Sequence, residues 1–393
     1  MIIDEISKIA NEIENDIVEI RRVIHRNPEL AFEEFETSKI IVNKLYEIGI
    51  SDVEILEGTG IVAILEGTKK SNKKGKTVMF RGDMDALPIK EQTNLHYKSL
   101  NNNMHACGHD VHVAWTLGVA IVLSKVKHLF YGKVKFVFQP GEEIGGAVKM
   151  VNRGILSNPD VDIVVAGHCW PDIKSGEIGI AQKVAMASTN TFKITIEGKG
   201  GHGANPHECI DPISIGCEIY SSIQKIISRR TNPVNPTVVS VCSFNSGTSR
   251  STIPNICEIE GTVRAITYEE VLRINKEIEF LSQKICEIYG GKSTYELGGI
   301  CLPVVNNEEL VKQMKTSAVD IIDEDKIRII HYPAMTGEDF SEYSSRKDGI
   351  FVYIGCSLED QNNKLHSCKF DIDEKIIKKA ICIFSKFIID YLN

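Results

Sequence analysis

Hydrophobic residues in the first half of the chain alternate between helical and strand-like spacing. They recur every three or four positions over residues 5–24 and 35–48, which predicts two amphipathic helices. Short β-branched runs over residues 77–80, 134–138 and 163–166 predict three buried strands. Strands that alternate with helices favour a mostly parallel sheet, so we predict an α/β fold for this half.

The hydrophobic pattern changes near residue 185. The predicted elements there are a strand at 191–196, a helix at 212–228, strands at 238–242 and 256–265, a helix at 269–289 and a strand at 293–297. This β-α-β-β-α-β order is that of a ferredoxin-like α+β module. Since an α/β pattern resumes after residue 299, we predict a discontinuous domain of residues 1–184 and 298–393 with an inserted domain of residues 185–297.

Composition narrows the functional class. No run approaches the roughly 20 apolar residues of a membrane span, and the first residues lack the pattern of a signal peptide. The formal net charge is −8, and no basic stripe interleaved with aromatic residues is present, which argues against nucleic-acid binding. The 11 cysteines are odd in number and scattered, as expected for buried thiols in a reducing compartment. We predict a cytoplasmic protein that binds neither membranes nor nucleic acid.

Polar residues follow each of the three predicted strands. Asp83 and Asp85 follow the first strand, Glu142 and Glu143 follow the second, and His168 follows the third. Ligands of open α/β sheets bind beyond the carboxyl ends of the strands, so we expect these side chains to share one crevice. Two adjacent glutamates can divide the work of hydrolysis, because one can bind a metal while the other faces a metal-bound water.

Residues 104–112 (MHACGHDVH) form the densest group of potential metal ligands, just before a helix predicted over residues 113–126. Thiol, imidazole and carboxylate groups at this density favour a transition metal. A competing motif, G-x-G-x-x-G at residues 198–203, is typical of dinucleotide sites. That site needs a helix directly after the glycines, but Pro206 and Pro212 interrupt the span. The glycines are better interpreted as a turn that presents His202.

Several motifs, in order along nearly the whole chain, together resemble the M20 metallopeptidase family, and most closely its amidohydrolase branch. They are RGDMDALP at 81–88, MHACGHDVH at 104–112, FQPGEE at 138–143, GKGGHGANP at 198–206, GTVR at 261–264 and GEDF at 337–340. The resemblance implies a catalytic α/β domain interrupted by a ferredoxin-like dimerisation or lid domain. It also implies a homodimer or a higher homo-oligomer formed through the inserted domain.

The resemblance also implies a role for individual residues. Two divalent metal ions, which the sequence does not distinguish among zinc, manganese, cobalt and nickel, would be held by Cys107, His109, Glu143, His168 and His366. Glu142 falls at the position of the general base, and Asp85 at that of an acid that orients a ligand. His202 falls at the residue that stabilises the oxyanion in the partner's active site, and Arg264 at one that receives the substrate carboxylate.

The remaining residues of the 104–112 segment are expected to have supporting functions. We expect Asp110 to cap the following helix or to support a ligand, and His105 and His112 to be supporting residues. Two positions depart from the family pattern. Ser251 stands where an asparagine is usual, which bears on the substrate pocket, and Cys368 stands where a proline is usual.

The activity implied is metal-dependent hydrolysis of the amide bond in N-acyl-L-amino acids or similar conjugates. Within the family, N-acetyl-diaminopimelate deacetylase and dipeptidase or aminoacyl carboxypeptidase activities are the alternatives. Outside enzymology, a silent binding protein on the same scaffold, or a metal storage or sensor protein, is the alternative. Those readings do not require Glu142, His202 and Arg264 to be present together, so the sequence favours the enzyme.

Overall fold

The computed structural model describes residues 2–72, 74–358 and 364–393, which divide into two compact units. Unit 1 comprises Met1–Ala185, Val305–Tyr332 and Asp339–Asn393, and unit 2 comprises Met186–Val304 and Pro333–Glu338. The helices are α1 (Ile2–Arg26), α2 (Phe35–Glu47), α3 (His109–Lys125), α4 (Gly146–Asn152), α5 (Pro212–Lys225), α6 (Tyr268–Tyr289), α7 (Glu308–Val319), α8 (Ser341–Ser344) and α9 (Lys375–Leu392). Among the described residues, no helix is both long and apolar enough to cross a membrane.

Unit 1 is built on an eight-stranded sheet in the order β1-β2-β4-β3-β5-β16-β6-β15. Its strands are β1 (Val53–Leu56), β2 (Gly60–Glu66), β3 (Thr77–Asp83), β4 (Lys133–Gln139), β5 (Ile163–Lys174), β6 (Ile178–Ala181), β15 (Ile327–Ile330) and β16 (Asp348–Ser357). The four central strands, β4, β3, β5 and β16, run parallel. Every residue of β3 is buried, as expected for a central parallel strand covered on both faces. The predicted α/β fold with a mostly parallel sheet is confirmed.

Unit 2 contains a four-stranded antiparallel sheet in the order β10-β12-β8-β13. Its strands are β8 (Ser188–Glu197), β10 (Thr237–Ser246), β12 (Ile256–Ala265) and β13 (Lys292–Cys301). Helices α5 and α6 pack against this sheet around a separate hydrophobic core. The chain order is β-α-β-β-α-β, so this unit has the predicted ferredoxin-like topology.

Unit 2 includes more of the chain than residues 185–297. Strand β13 continues to Cys301, beyond the predicted strand end at residue 297. Residues 333–338 also belong to unit 2, where the Ala187 amide donates hydrogen bonds to the carbonyls of Ala334 and Thr336 at 3.0 and 3.1 Å. Long-range pairing of this kind leaves no periodic signal in the sequence, so residues 333–338 were not predicted to join this unit.

Candidate metal centre

The chain turns sharply where β4 ends, and this turn presents the two adjacent glutamates. Gly141 has a φ of +62°, in the left-handed region that favours glycine, and a short 3₁₀ helix of Glu142–Ile144 follows it. Strand β5 continues through His168, although the predicted strand ended at residue 166. The last β5 residue that pairs with β3 is Ala166, opposite Arg81, so His168 lies two residues beyond the paired segment.

Cys107 lies just before helix α3, and His109 is the first residue of that helix. Helix α3 begins at His109, four residues earlier than predicted, because Gly108 adopts a φ of +84° and serves as its N-cap. Asp110 therefore lies inside the first turn, and the expectation that it caps the helix was wrong. Its carboxylate instead contacts Arg21 Nε at 2.7 Å and His25 Nδ1 at 2.8 Å.

The structure brings together the donor atoms of all five residues expected to bind metal, which we call the donor cluster. Cys107, His109 and His168 form one trio whose donor atoms lie within 4.8 Å of one another, and Cys107, Glu143 and His366 form another. His109 also groups in this way with Glu142 and Glu143. Cys107 belongs to both of these trios, so its sulfur lies close to the donor atoms of each. The cluster contains Cys107, His109, Glu143, His168 and His366.

Unmatched lone pairs in the donor cluster fit a bound cation. His168 donates its Nδ1–H to the Cys169 carbonyl at 2.7 Å, so its Nε2 lone pair is directed at the Cys107 sulfur at 3.4 Å and can accept the thiol proton or bind a cation in its place. His109 Nε2 is buried and has no hydrogen-bond partner among the described residues. Glu143 Oε1 lies 3.2 Å from His366 Nε2, close enough for an ion pair when the imidazole is protonated. Converging thiol, imidazole and carboxylate donors of this kind are typical of a divalent transition metal.

The protonation states of these groups reflect their burial and their neighbours. Burial lowers the pKa of His168 to about 4, which keeps its imidazole neutral and available as a ligand. Burial raises the pKa of the Cys107 thiol, so forming the thiolate requires nearby positive charge. Hydrogen bonds to Cys107 and Glu143 raise the pKa of His366 to about 10. Metal binding at Cys107, Glu143 and His366 would therefore compete with protons.

Asp85 contacts three parts of the site through one carboxylate. Its Oδ1 lies 3.1 Å from His109 Nδ1 and accepts a hydrogen bond from the Glu142 amide at 3.0 Å. Its Oδ2 accepts a hydrogen bond from the Glu143 amide at 3.1 Å. The aspartate therefore orients an imidazole and the turn that carries both glutamates, the arrangement expected of a group that supports metal ligands.

A second buried polar group, which we call the Arg81 network, lies at the ends of β3 and β4. Arg81 donates to Gln139 Oε1 at 2.9 Å, to Asp83 Oδ2 at 2.5 Å and to Asp339 Oδ1 at 2.9 Å. Tyr343 donates its hydroxyl to Gln139 Oε1 at 3.0 Å. The network contains Arg81, Asp83, Gln139, Asp339 and Tyr343. Arg81 and Asp83 lie in the RGDMDALP motif and Asp339 lies in the GEDF motif, but only the fold shows that Arg81 and Asp339 are paired.

The two remaining histidines of the 104–112 segment differ in their partners. His112 lies 2.5 Å from Asp83 Oδ1 through Nδ1, and its Nε2 accepts the Cys169 amide at 3.0 Å. It therefore links the Arg81 network to β5, next to His168, and its supporting role stays a prediction. His105 is buried and neither of its ring nitrogens has a hydrogen-bond partner among the described residues.

The other two predicted site residues, His202 and Arg264, belong to unit 2. His202 lies on β9 (Gly201–His202), is exposed, and pairs with Thr252 of β11 (Thr252–Ile253). The Ala204 amide donates to His202 Nδ1 at 3.1 Å, which leaves the Nε2–H of the neutral ring as a donor. Arg264 is half-buried and donates to the Met335 carbonyl at 3.0 Å. The Ser251 carbonyl accepts the Gly203 amide, so the position that departs from the family pattern adjoins the His202 turn.

Comparisons with known proteins show which family the chain resembles. A family model described as "Peptidase family M20/M25/M40" matches residues 79–390. The N-acyl-L-amino acid amidohydrolase of Geobacillus stearothermophilus is 37% identical over 78% of this chain and 82% of its own length. Thermostable carboxypeptidase 2 of Saccharolobus solfataricus is 35% identical over 100% of this chain and 99% of its own length.

A solved structure extends the comparison to the fold. The YXEP protein of Bacillus subtilis, described as a dinuclear metal binding peptidase from the M20 family, is 31% identical with a TM-score of 0.82. The match covers 97% of this chain and 99% of that chain. The chain is a metal-dependent hydrolase, as the sequence predicts. It belongs to the peptidase family M20/M25/M40.

Proposed function

We propose that the chain hydrolyses the amide bond of N-acyl-L-amino acids or closely related conjugates. The observation that carries this proposal is the donor cluster beside Glu142, whose Oε2 lies 3.9 Å from His109 Nε2. A carboxylate next to converged metal ligands is positioned to accept a proton from water. The relative from Geobacillus stearothermophilus bears the name of this activity, which supports the choice of substrate class.

Each residue of the site has a proposed role. Cys107, His109, Glu143, His168 and His366 would hold two divalent ions, which when bound polarise the acyl carbonyl and acidify water. Glu142 would take the proton of the attacking water on a carboxylate oxygen and deliver it to the leaving amine nitrogen. Asp85 would keep His109 in the tautomer whose Nε2 binds metal.

Two residues of unit 2 would act on the substrate. His202 would donate its Nε2–H to the oxyanion that develops on the acyl oxygen, consistent with an Nδ1 that already accepts a hydrogen bond. Arg264 would receive the substrate carboxylate, for which a guanidinium fork is suited. In the family resemblance His202 acts in the partner's site, so this part of the proposal requires a dimer.

We further propose a homodimer formed through unit 2. Strand β10 lies at an edge of the four-stranded sheet and carries Phe244, which is 38% exposed, and Tyr220 on α5 is 45% exposed. Edge strands with exposed apolar side chains are typical interaction surfaces. Sedimentation equilibrium tests the proposal, which a monomer at the concentrations of full activity would overturn. The cytoplasmic location stays a prediction.

The activity is tested with a substrate panel and one variant. Protein purified without chelator is analysed for its metals and then assayed on acetyl-amino acids, benzoyl-glycine, N-acetyl-diaminopimelate and dipeptides. Glu142→Gln should keep its metal and lose at least about 100-fold in kcat, because it cannot accept a proton. Glu309→Gln, a change on the exposed surface of α7, serves as the matched control. Full turnover by Glu142→Gln would overturn the assignment.

One relative favours an alternative substrate class within the same chemistry. The relative from Saccharolobus solfataricus bears the name of a carboxypeptidase, although its identity to this chain is similar to that of the amidohydrolase. Peptide and acyl-amino-acid substrates share the scissile amide and the terminal carboxylate. The panel separates them, since a carboxypeptidase would turn over dipeptides faster than any acetyl-amino acid.

A further inference from the structure

A backbone amide outside the donor cluster contacts the side chain proposed as the general base. The Asp339 N–H donates a hydrogen bond to Glu142 Oε1 at 3.3 Å. We propose that Asp339 is a positioning residue that holds the Glu142 carboxylate in its working orientation. This inference rests on the proposed role of Glu142, and it extends the site to the GEDF segment.

Glu142 is held from two sides. Its own amide is fixed by Asp85 Oδ1 at 3.0 Å, and its Oε1 by the Asp339 amide. These contacts direct Oε2 toward His109 Nε2, which lies 3.9 Å away on the side of the donor cluster. Because one carboxylate oxygen is assigned to the Asp339 amide, the other is oriented for proton transfer.

The Asp339 side chain anchors the amide that makes this contact. Its carboxylate accepts Arg81 Nη2 at 2.9 Å, Gln139 Nε2 at 2.9 Å on both oxygens, and the Ala147 amide at 2.8 Å. It is 6% exposed, and these three donors come from unit 1. Charge-assisted hydrogen bonds at a buried carboxylate restrict its position more than neutral bonds do.

Asp339 lies where the chain returns from unit 2 to unit 1. Asp339 is the first residue of unit 1 after a segment, Pro333–Glu338, that belongs to unit 2. The peptide that joins the two units therefore carries the N–H that contacts Glu142. The carboxylate fixes that peptide to β4 through Gln139 and to α4 through Ala147, so the position of the N–H is determined within unit 1.

Asp339→Asn tests the anchor with almost no change in shape. Both carboxylate oxygens accept donors, so an amide nitrogen at either place meets an N–H group and displaces the segment. We expect kcat to fall about 10- to 100-fold, as displaced catalytic groups do, while KM changes by less than about threefold and the metal content stays unchanged. Asp390→Asn, which removes a charge from a half-buried ion pair with Lys386, is the matched control.

Double variants separate positioning from a merely structural role. In a Glu142→Gln background, Asp339→Asn should not lower the residual turnover further, because the group it positions has already been removed. The exchanged pair Gln139→Glu with Asp339→Asn returns a carboxylate to Arg81 and should recover part of the lost kcat. If Asp339→Asn alone does not fold, the exchanged pair is compared with wild type in its place.

Three outcomes would overturn the inference. They are an Asp339→Asn enzyme with kcat within about twofold of wild type, an equal loss in both backgrounds, or an exchanged pair that regains stability but not kcat. The Glu142→Gln variant shows whether the proposed function has failed or only this inference. If that variant turns over normally, the base assignment fails and the inference with it. If it is inactive while Asp339→Asn is normal, only the inference fails.

Discussion

Two buried polar groups lie side by side in unit 1 and differ in how their hydrogen-bonding atoms are matched. In the Arg81 network, guanidinium, carboxylate, amide and phenol groups meet complementary partners at 2.5–3.0 Å. In the donor cluster, side chains that can bind a metal converge, as His168 Nε2 and the Cys107 sulfur do at 3.4 Å, and the buried His109 Nε2 has no hydrogen-bond partner among the described residues. Both groups include residues near the carboxyl ends of neighbouring central strands, since Asp83 and Gln139 end β3 and β4 and Glu143 follows β4.

This difference helps to distinguish a candidate binding site from buried polar groups that only stabilise the fold. A buried ion pair that meets all its partners stabilises one arrangement of the chain and offers nothing to a ligand. Converging lone pairs without protons between them are costly unless a cation satisfies them. The density of histidine and acidic residues therefore does not identify the site, whereas the mismatch of donors and acceptors does.

The largest effect is expected from removing a central member of the donor cluster. His109→Ala should lower metal affinity by more than about 100-fold, above the loss typical of supporting residues, and should abolish turnover. Metal content after dialysis against buffered metal measures the affinity, and His128→Ala, at an exposed surface histidine, is the control. Retention of two ions per chain by His109→Ala would remove His109 from the ligand set.

Breaking the Arg81 network should affect stability first. Arg81→Met leaves Asp83 and Asp339 buried without their cation, which should cost about 3–5 kcal/mol in the free energy of unfolding. Arg153→Met removes an arginine from an ion pair with Glu57 at the surface, where the arginine is 63% exposed, and should leave the free energy of unfolding nearly unchanged. Urea denaturation of the metal-loaded proteins compares the two, and equal losses would contradict the contrast between buried and exposed pairs.

The smallest effect is expected at Asp85, whose carboxylate contacts His109 and the turn of the two glutamates. Asp85→Asn keeps the size of the side chain but weakens its contacts with His109 and with the turn of the two glutamates. Metal affinity should fall about 10- to 100-fold, as for other groups that orient ligands, with little change in unfolding. A titration against a competing chelator measures it, and unchanged affinity would argue against an orienting role.

The fold was predictable where the hydrophobic pattern is regular. Strand β12 runs over residues 256–265 as predicted, and α2 differs from its prediction by one residue. The pattern missed β1, whose two central residues are exposed, and β6 and β15, which are four residues long. Short or exposed strands depend on their neighbours in the sheet, and a local pattern does not report those neighbours.

The amino-acid sequence by itself determined the classes of element, the chemical types of the donors and the family motifs that contain them. Each of these depends on residues close together in the chain, where spacing and side-chain chemistry are sufficient. Only the tertiary structure decided which donors are left unmatched and which are paired. Asp83 and Asp85 are two residues apart, yet one is paired with Arg81 and the other contacts His109 and the glutamate turn. Asp85 reaches the Glu142 amide across 57 residues of chain, and Arg81 reaches Asp339 across 258, which no local pattern encodes.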